Sequence, residues 1–212
     1  MDKRYFEDAD SSPVPFFHFQ TSQEYDQFSQ ELRLNGETEK LRWQTGIYYL
    51  DMDSDATAVF DLDLFTFGVP GLTDFGQGVN VGGHQTNIDS TSWAVFGQTD
   101  FDISDALTAT LGLRYTDDER KLDYNGFDNI PGFGVFTDTN RDDTVGYDNV
   151  SYKAQLDWRP NEDTLIFSGI TKGHKAGNFR LGIGAPNRSP EHDEEELTSF
   201  EVGIKTELRD GT

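Results

Sequence analysis

Along several segments of this chain, apolar and polar residues alternate with a period of two, and the polar side is strongly charged. That period belongs to a β-strand, whose successive side chains point to opposite faces. In Thr108 to Thr116, Ala109, Leu111, Leu113 and Tyr115 take one face against Thr108, Thr110, Gly112, Arg114 and Thr116. In Ser151 to Arg159, Tyr152, Ala154, Leu156 and Trp158 oppose Ser151, Lys153, Gln155, Asp157 and Arg159. In Leu197 to Leu208, Phe200, Val202, Ile204 and Leu208 oppose Ser199, Glu201, Gly203, Lys205 and Glu207. Phe28 to Asn35, Leu41 to Asp51 and Thr91 to Asp102 follow the same rule less cleanly. Thr164 to Lys172 is ambiguous, because Ile166 and Ile170 fall opposite Leu165 and Phe167. The pattern predicts about seven strands of roughly 9–12 residues, longer than the usual ~5–6 of globular sheets.

The connections carry more information than the strands. Short ones (Gly36 to Lys40, Ser104 to Ala106, Asn161 to Asp163) alternate with long ones (Ser54 to Ser90, Asp123 to Asn149, Gly173 to Glu196), and the first 25 or so residues read as the end of a further long segment. An up-and-down sheet with tight turns at one end and large loops at the other is the arrangement of an outer-membrane barrel. Strands of about 10 residues, tilted by ~40°, cover the ~25 Å apolar band of such a barrel. On this reading Leu111, Leu113, Tyr115, Leu156, Trp158, Phe200, Val202 and Ile204 face lipid, while Arg33, Arg42, Arg114, Lys153 and Arg159 face the lumen. Trp43, Trp93 and Trp158 fall near strand ends, where aromatic girdles form. A soluble β-sandwich also alternates, but its strands are shorter and its loops are not gathered on one side.

Composition narrows the function. The 212 residues carry 17 Lys and Arg against 39 Asp and Glu, a net charge of −22, which argues against nucleic acid as a partner. Cysteine is absent, so disulfides, zinc-thiolate sites and thiol nucleophiles are excluded. No stretch is apolar enough for a membrane helix, and the opening residues show no signal region. Asp51-Met52-Asp53-Ser54-Asp55 starts like a calcium loop but lacks its Gly and Glu, and the acidic runs Asp138 to Asp143 and Glu191 to Glu196 read as solvated loop segments. The Gly-rich run from Gly68 to Gly83 does not form a phosphate-binding fingerprint. His18, His84, His174 and His192 are dispersed without metal-site spacing, and no nucleophile elbow is present. Neither a catalytic residue, nor a metal site, nor a cofactor is indicated. The phenylalanines of the two long connections, Phe60, Phe65, Phe67 and Phe75 in the first and Phe127, Phe133 and Phe136 in the second, either stack on a ligand or pack together to shape the loops.

Several segments then resemble a known family. Phe28 to Leu34 followed by Trp43 to Asp51 is similar to a hairpin of TonB-dependent outer-membrane receptors, as is Ala94 to Gln98 leading through Asp102 to Thr108 into Gly112-Leu113-Arg114-Tyr115. Lys172 to Phe179 resembles the family's Gly-aromatic-Lys-x-Gly-x-Phe element, with His174 at the aromatic position, and Glu195 to Thr206 resembles a later barrel strand. The resemblance implies a section (residues 1–212) of an antiparallel barrel that closes with about 22 strands around a plug domain, here an open partial barrel of about seven strands with long external loops. Signal peptide, TonB box, plug and C-terminal strands are not among its residues. It further implies a Gram-negative outer-membrane location and lipid as surroundings. Energy comes from the TonB complex through an N-terminal part, and the solute is scarce: a ferric siderophore, cobalamin or an oligosaccharide. The lumen-facing cations named above then contact the plug. A diffusion porin and a secreted carbohydrate-binding sandwich are the alternatives.

Overall fold

The computed structural model describes residues 2–8, 17–62, 79–130, 134–179 and 191–207. Its strands are β1 (Asp2–Asp8), β2 (Phe17–Glu37), β3 (Leu41–Leu62), β4 (Val79–Ser104), β5 (Leu107–Ile130), β6 (Gly134–Asn161), β7 (Thr164–Lys175), β8 (Asn178–Phe179), β9 (Glu191–His192) and β10 (Glu195–Thr206). Eight of them form one antiparallel sheet in the order β1-β2-β3-β4-β5-β6-β7-β10, and β8 pairs with β9 in a small second sheet. No helix occurs among the described residues. The main sheet is open, with β1 and β10 at its edges.

All three short turns stand where the sequence puts them. Between β2 and β3, the Thr38 amide donates to Leu41 O at 2.8 Å and the Leu41 amide donates to Thr38 Oγ1 at 3.2 Å. Ser104 Oγ accepts from the Ala106 amide and Asn161 Oδ1 from the Asp163 amide, so hydroxyl and amide side chains close the other two. Each turn also touches the next strand along, as in Arg159 N to Ala106 O at 2.7 Å, which ties the rim into a row.

Strand length differs from expectation. β2 to β6 run for 21 to 28 residues, not 9–12, while the eight strands of the sheet stand beside an expected number of about seven. Much of the presumed loops Ser54 to Ser90 and Asp123 to Asn149 is ladder, paired from Ser54↔Ile88 to Leu62↔Val79 with a register shift after Phe60, and from Asp123↔Asp142 to Ile130↔Gly134 with one after Asp128. Residues 2–8 are likewise a strand, paired with β2 from Asp2↔Glu24 to Asp8↔His18.

The physical reason is an inversion of the hydrophobic phase. On β5 the apolar row is Ala109, Leu111, Leu113 and Tyr115, but beyond Thr116 it becomes Leu122 and Tyr124, on the opposite face, while Asp117, Glu119, Lys121 and Asp123 continue the first. β3 switches from Trp43, Ile47 and Tyr49 to Met52, Ala56, Ala58 and Phe60; β6 switches from Tyr152, Leu156 and Trp158 to Tyr147 and Val145. A simple period-two pattern breaks at that point although the strand does not.

Register sets the first apolar rows of β2 to β7 and β10 side by side. Leu34↔Thr45, Ile47↔Val95, Val95↔Tyr115, Leu113↔Tyr152, Leu156↔Ser168 and Ile170↔Phe200 belong to one continuous face. That face is bare: Leu113 is 60%, Leu156 47%, Phe200 77% and Val202 82% exposed, and nothing among the described residues covers it. The alignment resolves the β7 ambiguity too. Ile166 and Ile170 join the apolar face, and Phe167 turns the other way, over Gly203, with Lys205 Nζ 5.4 Å from its ring. Trp43 and Trp158 border the apolar band at the short-turn end, and Tyr49, Trp93, Tyr115 and Tyr152 border it at the other, with the Trp93 and Tyr115 rings 5.4 Å apart. Trp93 therefore lies in mid-strand, not near an end.

Candidate functional site

Opposite the apolar band, the other face of the sheet, called the inner face below, carries polar and cationic side chains. Arg42 donates from Nη1 and Nη2 to the two Asp102 oxygens at 2.7 and 3.0 Å, a bidentate pair near the short turns, and Thr108 Oγ1 donates to the same carboxylate at 2.8 Å. Arg33 pairs with Glu31 on its own strand. Arg114 lies between rings, its Cζ 5.4 Å from the Tyr48 centroid and 5.6 Å from that of Phe96, with Nε donating to Thr116 Oγ1 at 3.1 Å. Gly46 makes room for this stack, since a Cβ there would overlap the Phe96 ring and Leu32 O. Register places Lys153 opposite Gly112 on the same inner face, and Arg159 lies at the turn rim beside Ala106.

Beyond the band, the inner face turns apolar and aromatic. Leu122, Val145 and Phe179 form a buried cluster, with Ile88, Tyr124 and Tyr147 packed against it. Phe179 belongs to β8, so the β7–β10 connection reaches across the sheet to supply it. Arg141 stands 5.9 Å from the Phe179 ring. His84 stacks on Tyr124 at 5.5 Å, and burial lowers its pKa from the ordinary 6.5.

A polar clasp holds the same connection. β6 and β7 pair only as far as Tyr152↔Lys172, after which the β7–β10 hairpin leaves β6 and meets inner-face groups instead. His174 Nδ1 is 3.0 Å from Ser151 Oγ, and its Nε2 is 4.0 Å from Asp118 Oδ2. Asn149 Nδ2 donates to Glu196 Oε1 at 3.0 Å and to Glu194 Oε2 at 3.4 Å, Lys172 Nζ sits 2.6 Å from Glu196 Oε1, and Tyr147 Oη donates to His192 O at 3.3 Å. The hydrogen bonds from Lys172 and Asn149 hold the Glu196 carboxyl below its ordinary pKa. Asn149 Oδ1 and His84 Nδ1 are buried without a hydrogen-bond partner among the described residues.

The outward face of the same strand extensions is acidic. Asp26, Asp53 and Asp89 are direct cross-strand neighbours, and Asp117 pairs with Asp148. Burial first, then Asp89, raises the pKa of Asp53 above its ordinary value.

Of the phenylalanines expected in external loops, Phe60 is on β3 and packs on Phe19 at 4.8 Å. Phe127 and Phe136 also occupy strand positions, on β5 and β6, while Phe65, Phe67, Phe75 and Phe133 lie outside the described residues. The sequence missed the cluster around Phe179 because its members are far apart in the chain. The inverted phase on β4, β5 and β6 was the available signal. Glu191 to Glu196 is not simply a solvated run, since Glu194 and Glu196 close on Asn149. No group of three or more His, Asp or Glu among the described residues is placed to hold a metal ion.

Comparison with known proteins supplies the family. The family described as TonB dependent receptor-like, beta-barrel, matches residues 2–212. This chain belongs to it. Solved structures similar to this TonB-dependent receptor barrel include the ferric yersiniabactin uptake receptor FyuA from Yersinia pestis, at a TM-score of 0.77 and 15% identity over 93% of the chain and 28% of that protein. The siderophore receptor PiuA from Acinetobacter baumannii gives 0.56 and 17%, over 91% of the chain and 30% of PiuA. The ferric-catecholate import receptor Fiu from E. coli K12, in its closed form, gives 0.56 and 13%, over 91% and 30%. At these identities the likeness is one of fold, and the chain spans less than a third of each protein. The family is one of receptors and not of enzymes, which displaces the porin and sandwich alternatives.

Proposed function

We propose that this chain is a section of the barrel wall of a Gram-negative outer-membrane receptor that binds a scarce solute, of the ferric-siderophore class, and imports it with energy from the TonB complex. Cobalamin or an oligosaccharide is the alternative cargo. The observation that carries this is the contrast between the two faces at a single height. A continuous apolar band faces outward between aromatic rows, while Arg114, Tyr48 and Phe96 meet on the other side. Hydrocarbon wets one side of such a wall, and a polar interior lies behind the other. The siderophore-uptake roles of FyuA, PiuA and Fiu support the siderophore class. Within this reading, Arg33, Arg42, Arg114, Lys153 and Arg159 meet the plug, and the TonB contact belongs to an N-terminal part outside these residues. Phe60, Phe65, Phe67, Phe75, Phe127, Phe133 and Phe136 serve ligand contact, and Phe60 also packs on Phe19.

The test is uptake by intact cells. Cells lacking the full-length receptor, grown in iron-limited medium, are expected to lose accumulation of one radiolabelled ferric chelate from a panel of catecholate, hydroxamate and phenolate chelates, and to regain it when the gene is restored. Loss of TonB should abolish the same uptake. Parental uptake of every chelate, together with loss of cobalamin or maltodextrin uptake, would move the assignment to the other cargo. Uptake that persists without TonB would overturn active import. The receptor is also expected to fractionate with the outer membrane and to migrate differently on gels before and after boiling.

A further inference from the structure

Beyond the apolar band, the outward rows of β1, β2 and β3 change chemistry step by step. Register sets Asp26 beside Asp53, then Asp2, Glu24 and Asp55 in one row, then Arg4, Ser22 and Thr57, then Phe6, Gln20 and Val59. These rows continue the face that carries Phe28 and Tyr49 lower down, so they look away from Arg114 and Tyr48. The last two rows form a shallow cleft of about 390 Å³, lined on this face by Arg4, Phe6, Gln20, Ser22, Thr57 and Val59. Phe6 is 61% exposed there, with its ring 5.1 Å from that of His18. From Tyr49 to Thr57 the strand climbs roughly 20 Å, at ~3.3 Å per residue and a tilt of ~40°. The cleft therefore stands well beyond the upper aromatic row.

We propose that this cleft holds neutral sugar residues of the glycolipid that forms the outer leaflet around the barrel. Its lining decides the chemistry. An exposed ring offers a flat apolar platform to the C–H face of a sugar, and the hydroxyl, amide and guanidinium groups around it exchange hydrogen bonds with sugar hydroxyls. A hydrocarbon chain would strip water from Arg4, Ser22 and Thr57 and replace none of its bonds. An anionic group would meet the Asp2, Glu24 and Asp55 carboxylates in the adjoining row, whereas sugar hydroxyls donate to them. Position decides the source. Hydrocarbon ends at the aromatic row, and roughly 20 Å farther out the outward face of such a barrel is bordered by lipid headgroups. The cleft is continuous with the apolar rows below it and opens away from the lumen, so a solute passing through the barrel does not meet it. For this placement the proposal rests on the receptor reading.

The test counts glycolipid on the purified receptor. Full-length receptor is extracted from outer membranes and washed in detergent, and the lipopolysaccharide retained per receptor is weighed by native mass spectrometry. Two hosts are compared, one with a complete core oligosaccharide and one whose lipopolysaccharide ends at its innermost acidic sugars. In the first host, Phe6→Ala and Val59→Arg are each expected to lower retention about fivefold, the size of one lost ring contact, while Phe6→Tyr keeps it. In the second, all four proteins should retain the same low amount. Equal retention by the parent and Phe6→Ala in the first host would overturn the proposal. A difference that persists in the second host would give the cleft to acyl chain or phosphate, which overturns it too. Core oligosaccharide freed of lipid should bind the washed parent and not Phe6→Ala; equal binding of dextran would show that no glycolipid sugar is selected. The gel shift on boiling confirms that each variant has assembled. A receptor missing from the outer-membrane fraction would defeat the receptor reading before any glycolipid is counted, so the two failures are told apart.

Discussion

Leu113 and Glu119 lie on the same outward row of β5, yet the row crosses from apolar to charged between them, at Tyr115. The substitution that separates the two surroundings is therefore the same residue placed at each. Arginine at the apolar level of a barrel exterior costs about 2–4 kcal/mol, falling toward zero beyond the interface. Leu113→Arg is expected to destabilise the folded receptor by that amount, and Glu119→Arg by well under about 1 kcal/mol. Denaturant unfolding in lipid, followed by the heat-dependent gel shift, measures both. Equal costs at the two positions would mean that the acidic rows share one environment with Leu111 and Leu113. Residues on the inner face answer to neighbours instead. Arg42 is held by Asp102 in two hydrogen bonds, whereas Arg114 rests on Tyr48 and Phe96, so lysine in place of Arg114 keeps the charge but loses the planar stack.

The β4–β5 extension carries its own pH dependence, because His84 is stacked on Tyr124 and burial lowers its pKa. A group whose folded pKa is depressed binds its proton more readily when unfolded. Its contribution is therefore complete above the ordinary value of 6.5 and is lost as pH falls from there toward the folded value. Amide exchange in Val79 to Ser90 and Asp117 to Ile130, corrected for intrinsic rates, is expected to quicken between about pH 7.5 and 5.5. His84→Gln should flatten that response, and an unchanged slope would remove His84 as its cause. Asp53 acts oppositely and lower, since its raised pKa makes protonation favour the fold only near the carboxylate range. The same extension marks how far sequence reasoning reached. Ala109 to Tyr115 and Tyr152 to Trp158 were legible as strands because one face stays apolar throughout. Asp117 to Tyr124 was not, since water and a packed inner cluster exchange sides there and the alternation reverses its sign. The short turns were legible from local chemistry, as at Thr38 and Asn161. The seat of Phe179 was not, because Leu122, Val145 and Phe179 come from three separate strands and no spacing along the chain joins them.

At the scale of the molecule, eight strands spaced about 4.8 Å apart make a wall about 34 Å wide, and the chain covers 28% of the length of FyuA. Among the described residues β1 and β10 each have one hydrogen-bonded neighbour strand, and their outer edges present N–H and C=O groups with no partner strand. In hydrocarbon each such group costs several kcal/mol, of order 4–8 for an amide with nothing to bond. In water the penalty shifts to the other feature, the uncovered row from Leu34 through Leu113 to Val202. Neither solvent suits residues 1–212 by themselves. Expressed without the remainder of the barrel, they are expected to aggregate in buffer and to form mixed edge-paired oligomers in detergent, with no boiling-dependent gel shift. The full-length receptor, with both edges paired, should give the shifted monomer. Light scattering and unboiled gels of the two proteins, refolded side by side, decide the matter. A monodisperse, cooperatively melting monomer of the short chain in water would require Leu111, Leu113 and Phe200 to have found cover within the chain itself, and the apolar face could then no longer be the outside of a barrel.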